Sequence, residues 1–172
     1  MNEKNLMHAE VAIVDYEKEM AFEINQLWRI SFDKALDIKQ RSSRDSVENQ
    51  LAYLEDVLAN DAQISVVVEK SRSRIIGFMA QKRNVIEQLY LHPDFQGKGH
   101  GKRLINLAKS RSSGELTLYT FQLNLNAQKF YQTVGFEEVS RGCADMDSNP
   151  WADTQSQLAD ICYRWQGDTG KD

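Results

Sequence analysis

The chain has 172 residues, of which 41% are hydrophobic and 27% charged, and its formal net charge is −4. That length suits one domain built around one core. No apolar run approaches the roughly 20 residues that a bilayer crossing requires, and a net acidic chain lacks the positive surface that displaces counterions from nucleic acid. The polar start Met1-Asn2-Glu3-Lys4-Asn5 is not followed by the apolar stretch of a signal peptide. The expectation is a cytoplasmic domain over 1–172, with its core at about 10–166 and neither a membrane nor a nucleic-acid partner. Cys143 and Cys162 are the only cysteines and have no metal-ligand spacing. No His/Asp/Glu cluster suggests a metal, so none is expected.

In chain order, Val11-Ala12-Ile13-Val14 reads as a first strand. Met20, Ile24, Leu27 and Ser31 then recur at helical spacing, with Phe22, Trp28 and Ile30 widening the apolar side, which predicts a helix through about Ala35. Asp45 with Glu48 three places on resembles a capping box, and Val47, Leu51, Leu54 and Leu58 line one face of a second helix. Ile64 to Glu69 and Ile75 to Gln81 predict a hairpin closed by Lys70-Ser71-Arg72-Ser73-Arg74, and Val85 to Leu91 predicts a further strand.

Asp94 to Ser110 combines a glycine-rich turn with a helix whose apolar face is Gly101, Leu104, Ile105 and Ala108. Glu115 to Phe121 returns to strand. Asn124 is placed to cap a helix carrying Ala127, Phe130, Tyr131 and Val134, and Gly135 sits where a left-handed helix end is favoured. Phe136 to Ser140 and Leu158 to Trp165 predict two closing strands around a polar loop, Arg141 to Gln157. Antiparallel neighbours with one central crossover helix imply an α+β fold with a mixed, mostly antiparallel sheet.

Chemistry concentrates at Gln96-Gly97-Lys98-Gly99-His100-Gly101, between a strand and a helix. Glycines allow a sharp turn and close approach of a ligand to main-chain N–H groups. At a helix N-terminus those groups are unpaired and favour an anion such as pyrophosphate. Lys98, Lys102 and Arg103 add positive charge. A Rossmann site would need other glycine spacing and an early position, and a P-loop would need Gly-Lys-Ser/Thr. A merely connecting turn is the remaining plain reading.

The same residues, preceded by Leu89-Tyr90-Leu91-His92-Pro93-Asp94-Phe95, resemble the acetyl-CoA signature of the GNAT superfamily of N-acetyltransferases, Gln/Arg-x-x-Gly-x-Gly/Ala. Asn124-Leu125-Asn126-Ala127-Gln128-Lys129-Phe130-Tyr131, followed by Gly135-Phe136, resembles a second motif of that family. The likeness is good over about Ile64 to Ser140, general over the first two helices and slight over the C-terminal loop. It implies a GNAT-type twisted sheet of about seven strands flanked by about four helices, with the central strands splayed. Its implied partners are acetyl-CoA as co-substrate, an amine acceptor, and a second copy of the chain, since relatives are often dimers.

The resemblance also implies roles. The backbone of Leu89, Tyr90 and Leu91 would pair with the pantetheine arm, and the N–H of Leu91 would face the thioester oxygen. Gln96, Gly97, Lys98, Gly99, His100, Gly101 and Lys102 would hold the pyrophosphate, Asn124 the pantetheine and Lys129 the nucleotide end. Tyr131 matches the usual general acid, against the alternative of a core aromatic. Glu87 is the candidate base, placed by strand alternation on the side of Leu89 and Leu91, with a water chain as the alternative. His92 reads as a turn residue and His100 as solvated. Asp33, Asp37 and Asp45 would attract a cationic acceptor or simply form a solvated helix surface. A non-catalytic acyl-CoA sensor and transfer of a longer acyl chain are the competing functions.

Overall fold

The computed structural model describes residues 10–167. Seven strands form one sheet: β1 (Val11–Asp15), β2 (Gln63–Glu69), β3 (Arg74–Lys82), β4 (Val85–Leu91), β5 (Glu115–Phe121), β6 (Glu137–Cys143) and β7 (Ala159–Gln166). Their order is β1-β2-β3-β4-β5-β7-β6, and every neighbouring pair is antiparallel except β4–β5. The sequence Gln-Ile-Ser-Val-Val-Val-Glu of β2 is β-branched and nearly continuous in burial, as a strand with helices over both faces requires.

One face is covered by α1 (Ala21–Leu36) and a second helical rod. Ile24, Leu27, Trp28, Ser31 and Phe32 are the buried stripe of α1, at the spacing the sequence predicts, but Phe22 and Ile30 are 57% and 51% exposed and do not join it. The second rod runs from α2 (Val47–Ala52) through a π-helical stretch, Tyr53–Leu58, into α3 (Ala59–Asp61). The widened turn keeps Leu54 and Leu58 fully buried while turning Tyr53 towards Trp28, at 6.4 Å between ring centres. Such π segments are rare and favour functional surfaces.

The cap of this rod differs from the expected box. Ser46, not Asp45, accepts the Asn49 N–H. Asp45 is instead buried between Arg29 (3.3 Å) and Arg41, and Arg41 also grips Asp33 (2.8 Å). Two long cations within reach outcompete one exposed N–H for a buried carboxylate.

The other face is covered by α4 (His100–Arg111) and α5 (Leu125–Thr133). Leu104, Ile105 and Ala108 of α4 pack on Val67, Met79 and Ile86, beside Tyr131, Phe136 and Tyr163. Each such side chain removed from water contributes about 1.5–3 kcal/mol before entropy is counted. Asn124 caps α5 by accepting the Ala127 N–H at 3.1 Å, and Gly135 ends it with φ 93°, both as expected.

The C-terminal segment departs most from the sequence expectation. β6 extends to Cys143, and the polar stretch after it folds back as structure. Trp151, Ala152 and Leu158 are buried against α1, Trp151 lying 5.1 Å from Phe32 and 5.2 Å from Phe121 between ring centres. A capping box at Thr154 and Gln157 fixes its last turn.

Candidate active site at a split in the sheet

The parallel pairing of β4 with β5 consists of two register positions, Val85↔Thr117 and Ile86↔Leu118, after which the strands diverge. The ends of β4 and β5 therefore border an opening at the middle of the sheet. The His92 N–H donates to Ile76 O on β3 at 2.8 Å. Successive N–H groups on a strand point in opposite directions, so the Leu91 N–H points away from β3 into the opening. The carbonyl of Leu91 is held by the Ser31 hydroxyl (2.9 Å) and the Gln96 side-chain amide (3.1 Å). These two donors fix the peptide from α1 on one side and from the loop on the other.

The glycine loop lies at the same end. The first engaged N–H of α4 is that of Arg103, on Gly99 O at 3.1 Å. The N–H groups from Gly97 to Lys102 carry no hydrogen bond among the described residues. Gly97 and Gly99 have φ of 72° and 86°, conformations that favour glycine. Gly101 acts differently, because a Cβ there would lie 3.0 Å from the Phe130 ring, so it sets how closely α4 approaches α5. The Lys98 ammonium sits 4.9 Å above Phe95, while Lys102 and Arg103 are exposed.

The Gln96 N–H closes a turn onto Pro93 O and its side-chain amide donates to Leu91 O. His92 is the turn residue predicted, its Nδ1 accepting the Asp94 N–H at 3.2 Å. His100 is not simply solvated: its Nδ1 is buried without a partner, and burial, then Arg103 and Lys98, lower its pKa. It stands neutral next to six free N–H donors.

Tyr131 lies on the α5 face beside the opening, 7% exposed, among Phe130, Phe136 and Tyr163. No hydrogen bond ties its hydroxyl among the described residues. Burial, and then the neighbouring Tyr90 phenol, push its pKa well above the usual phenol range. Tyr90 projects to the other face among Trp28, Phe32 and Phe78, where burial raises it to about 12. The two phenols flank the opening from opposite sides.

Strand alternation misplaced Glu87. Gln81 pairs with Ile86 and Ala80 with Gln88, so Glu87 is the extra residue of a bulge. The bulge puts Ile86, Leu89 and Leu91 on the α4/α5 face, whereas the Glu87 carboxylate acts on Tyr53 of the opposite layer, adding to the burial that raises that phenol. Bulges commonly re-aim a side chain next to a site. Glu87 thus faces the layer that holds α1 and the π-helical stretch.

That layer was the least legible. Asp33, Asp37 and Asp45 are each paired with a cation, Lys39 in the case of Asp37, and do not form a free acidic patch. The layer beside the opening is an aromatic cluster instead, with Trp28, Phe32 and Trp151 buried and Tyr53, Tyr90 and Phe121 packed around them. Lys129 is exposed on α5, and Asn124 spends its carbonyl on the helix cap while its NH2 remains available as a donor. No group of three His, Cys, Asp or Glu is placed to hold a metal among the described residues.

A mixed sheet that parts beside an N–H-rich helix start offers a cleft suited to an extended, anion-bearing ligand. Known proteins agree. A family model described as an acetyltransferase (GNAT) domain matches residues 60–138. The peptidyl-lysine N-acetyltransferase YjaB of Salmonella typhimurium is 29% identical over 125 residues, covering 73% of this chain and 82% of that one. Its Escherichia coli counterpart is 29% identical over 129 residues, covering 75% and 84%. Among solved structures, apo YjaB from Escherichia coli superposes with a TM-score of 0.67 at 24% identity, covering 92% of this chain and 99% of that one. PaiA N-acetyltransferase of Thermoplasma acidophilum, in complex with coenzyme A, gives 0.65 at 20% identity, covering 91% and 99%. The match over residues 60–138 and the two curated relatives support membership of the GNAT superfamily and an N-acetyltransferase activity that uses acetyl-CoA. No helix among the described residues is long and apolar enough to cross a membrane.

Proposed function

We propose that this enzyme acetylates the side-chain amine of lysine in a protein or peptide, by direct attack within a ternary complex at the β4–β5 opening. The observation that carries the site is the Leu91 N–H directed into a gap where the sheet ladder has ended. The lysyl acceptor rests on the two relatives named for that reaction. Two free cysteines, one of them exposed, suit a reducing compartment and hence the cytoplasm.

In this reading Leu89 and Leu91 extend their ladder to the pantetheine arm, and the Asn124 NH2 donates to it from α5. The N–H groups from Gly97 to Lys102 hold the pyrophosphate, helped by Lys98 and Lys102, with Lys129 towards the nucleotide. The amine enters from the aromatic layer and gives a proton to Glu87 or to a water that Glu87 orients. Nitrogen then attacks the thioester carbon, and the Leu91 N–H donates to the oxygen as charge builds there. A preorganised donor of this kind is worth about 3 kcal/mol of barrier. As the C–S bond breaks, the Tyr131 hydroxyl passes its proton to sulfur, and the second proton, shed by the acylated nitrogen, returns to the tyrosinate through solvent. A phenol kept protonated by burial has that proton to give at neutral pH.

The experiment is release of free thiol from acetyl-CoA against a panel of lysyl peptides, peptide N-termini and small polyamines. Lysyl peptides are expected to support turnover. Tight CoA binding with no thiol release for any amine would favour a non-catalytic sensor and overturn the reading.

A further inference from the structure

Far from the opening, the other end of β3, β4 and α4 carries a recess that acetyl transfer does not use. It is about 360 Å³ and is lined by Asp61, Gln63, Gln81, Lys82, Arg83 and Arg111. A second recess of about 570 Å³ shares Lys82 and Arg83 with it and continues to Ser113. The 12 residues of α4 separate it from the glycine loop, roughly 18 Å at the rise of an α-helix.

Its charge is unbalanced in a chain whose net charge is −4. Lys82 pairs with Asp61 at 3.1 Å, but Arg111 meets only the neutral Ser65 hydroxyl (2.8 Å). The guanidinium of Arg83 has no ion pair or hydrogen bond among the described residues. By contrast Arg29, Arg41 and Arg141 each hold a carboxylate. Arg83 also occupies a left-handed backbone position, φ 53°, where Gly or Asn is favoured. The turn is held in place by Asn84, bonded to Ser113 at 2.5 and 3.1 Å.

A further unmet group borders the recess. Gln81 is 4% exposed, and its amide is oriented by NH2 donation to Arg83 O (2.9 Å) and Ala108 O (3.1 Å). Its Oε1 is consequently buried with no donor. The two bonds donated by Gln81 tie the Arg83 turn to the end of α4 and so fix the floor of the recess.

We propose that this recess is a second binding site for a small anion that carries a phosphate or carboxylate group. Arg83 and Arg111 take the anionic group in their planar forks. The size is that of a small-metabolite pocket. Occupancy stands apart from acetyl transfer, so the site holds or fails regardless of the amine acceptor.

The test uses the full chain saturated with CoA, so that the glycine loop is occupied. Amide resonances are followed while inorganic phosphate, and separately citrate, are added at constant ionic strength. Saturable shifts at 81–84 and 111–113 are expected. A response to phosphate marks a phosphoryl ligand, and a response to citrate marks a carboxylate. The R83Q/R111Q double variant is expected to weaken the response by at least about tenfold, two charge-assisted contacts being lost, with CoA affinity unchanged. Three results overturn the proposal: shifts centred on Gly97–Lys102, no saturable shift with either probe, or equal binding by the double variant.

Discussion

Gly77→Ala probes how the sheet sets the geometry of acyl transfer. Gly77 pairs directly with Leu91 across β3 and β4, opposite the peptide whose N–H faces the opening. A Cβ at Gly77 would lie 2.3 Å from Leu91 Cδ2 and 2.9 Å from Tyr90 O. The leucine methyl can swing away, but the Tyr90 carbonyl belongs to the backbone of β4. It must retreat by about half an ångström to reach ordinary contact, and such overpacking costs about 1–3 kcal/mol. For a chain of this length that corresponds to a Tm lower by roughly 3–10 °C. The Leu91 N–H moves with its strand, so kcat should fall about 10- to 100-fold, short of the loss of a whole oxyanion donor. Isothermal titration should find CoA affinity within about threefold of the parent, because the glycine loop and α4 are untouched. Gly142→Ala, where a Cβ meets only Asp160 Oδ1 at 3.1 Å, is the strand-glycine control. Parent-like kcat in Gly77→Ala, or equal kinetic losses in both variants, would refute the link between this contact and the opening.

Tyr131→Phe keeps the buried ring and removes the proton donor, so kcat should drop about 10²-fold or more with CoA affinity little changed; stopped-flow thiol release measures it. Trp151→Ala empties the aromatic contact with Phe32 and Phe121, costing about 3–5 kcal/mol in thermal unfolding and raising KM for the amine. Asp45→Asn removes the carboxylate of Arg29 and one of the two held by Arg41, and should cost about 3 kcal/mol by denaturant unfolding. Tyr90, held at about 12, and Tyr131, raised further, keep their protons in the folded chain where the unfolded chain has lost them. The folded state then binds more protons, so stability should decline as pH rises from about 10 to 12. Urea midpoints across that range check the sign.

What the sequence discloses here follows from how local its causes are. The strands and α1, α4 and α5 announce themselves through periodicity, and Asn124 and Gly135 through the backbone conformations their side chains permit. The glycine loop was legible because free N–H groups and positive φ need particular residues at particular places. The face on which Glu87 lies was not legible because a bulge depends on cross-strand register, which no single strand encodes. Asp45 has the chemistry of a cap, yet two arginines reach it from elsewhere in the fold. The aromatic layer over α1 was obscure for a similar reason. Trp28 and Phe32 lie four residues apart in a visible helix, but Trp151 sits alone in a polar stretch, and only tertiary packing brings it to them.

The brevity of the β4–β5 ladder bears on how this molecule holds itself together. Among the described residues two register pairs are the only strand pairing between β1–β4 and β5–β7–β6, with the two side-chain cores lying to either side of the sheet. A pantetheine chain bonded to Leu89 and Leu91 would act as a missing strand segment and brace that weak seam. At a hundred times its dissociation constant such a ligand adds about 2.7 kcal/mol to unfolding. Product departure would then remove a structural member as well as a leaving group, and leave the molecule mechanically softest at the moment it must accept its next substrate.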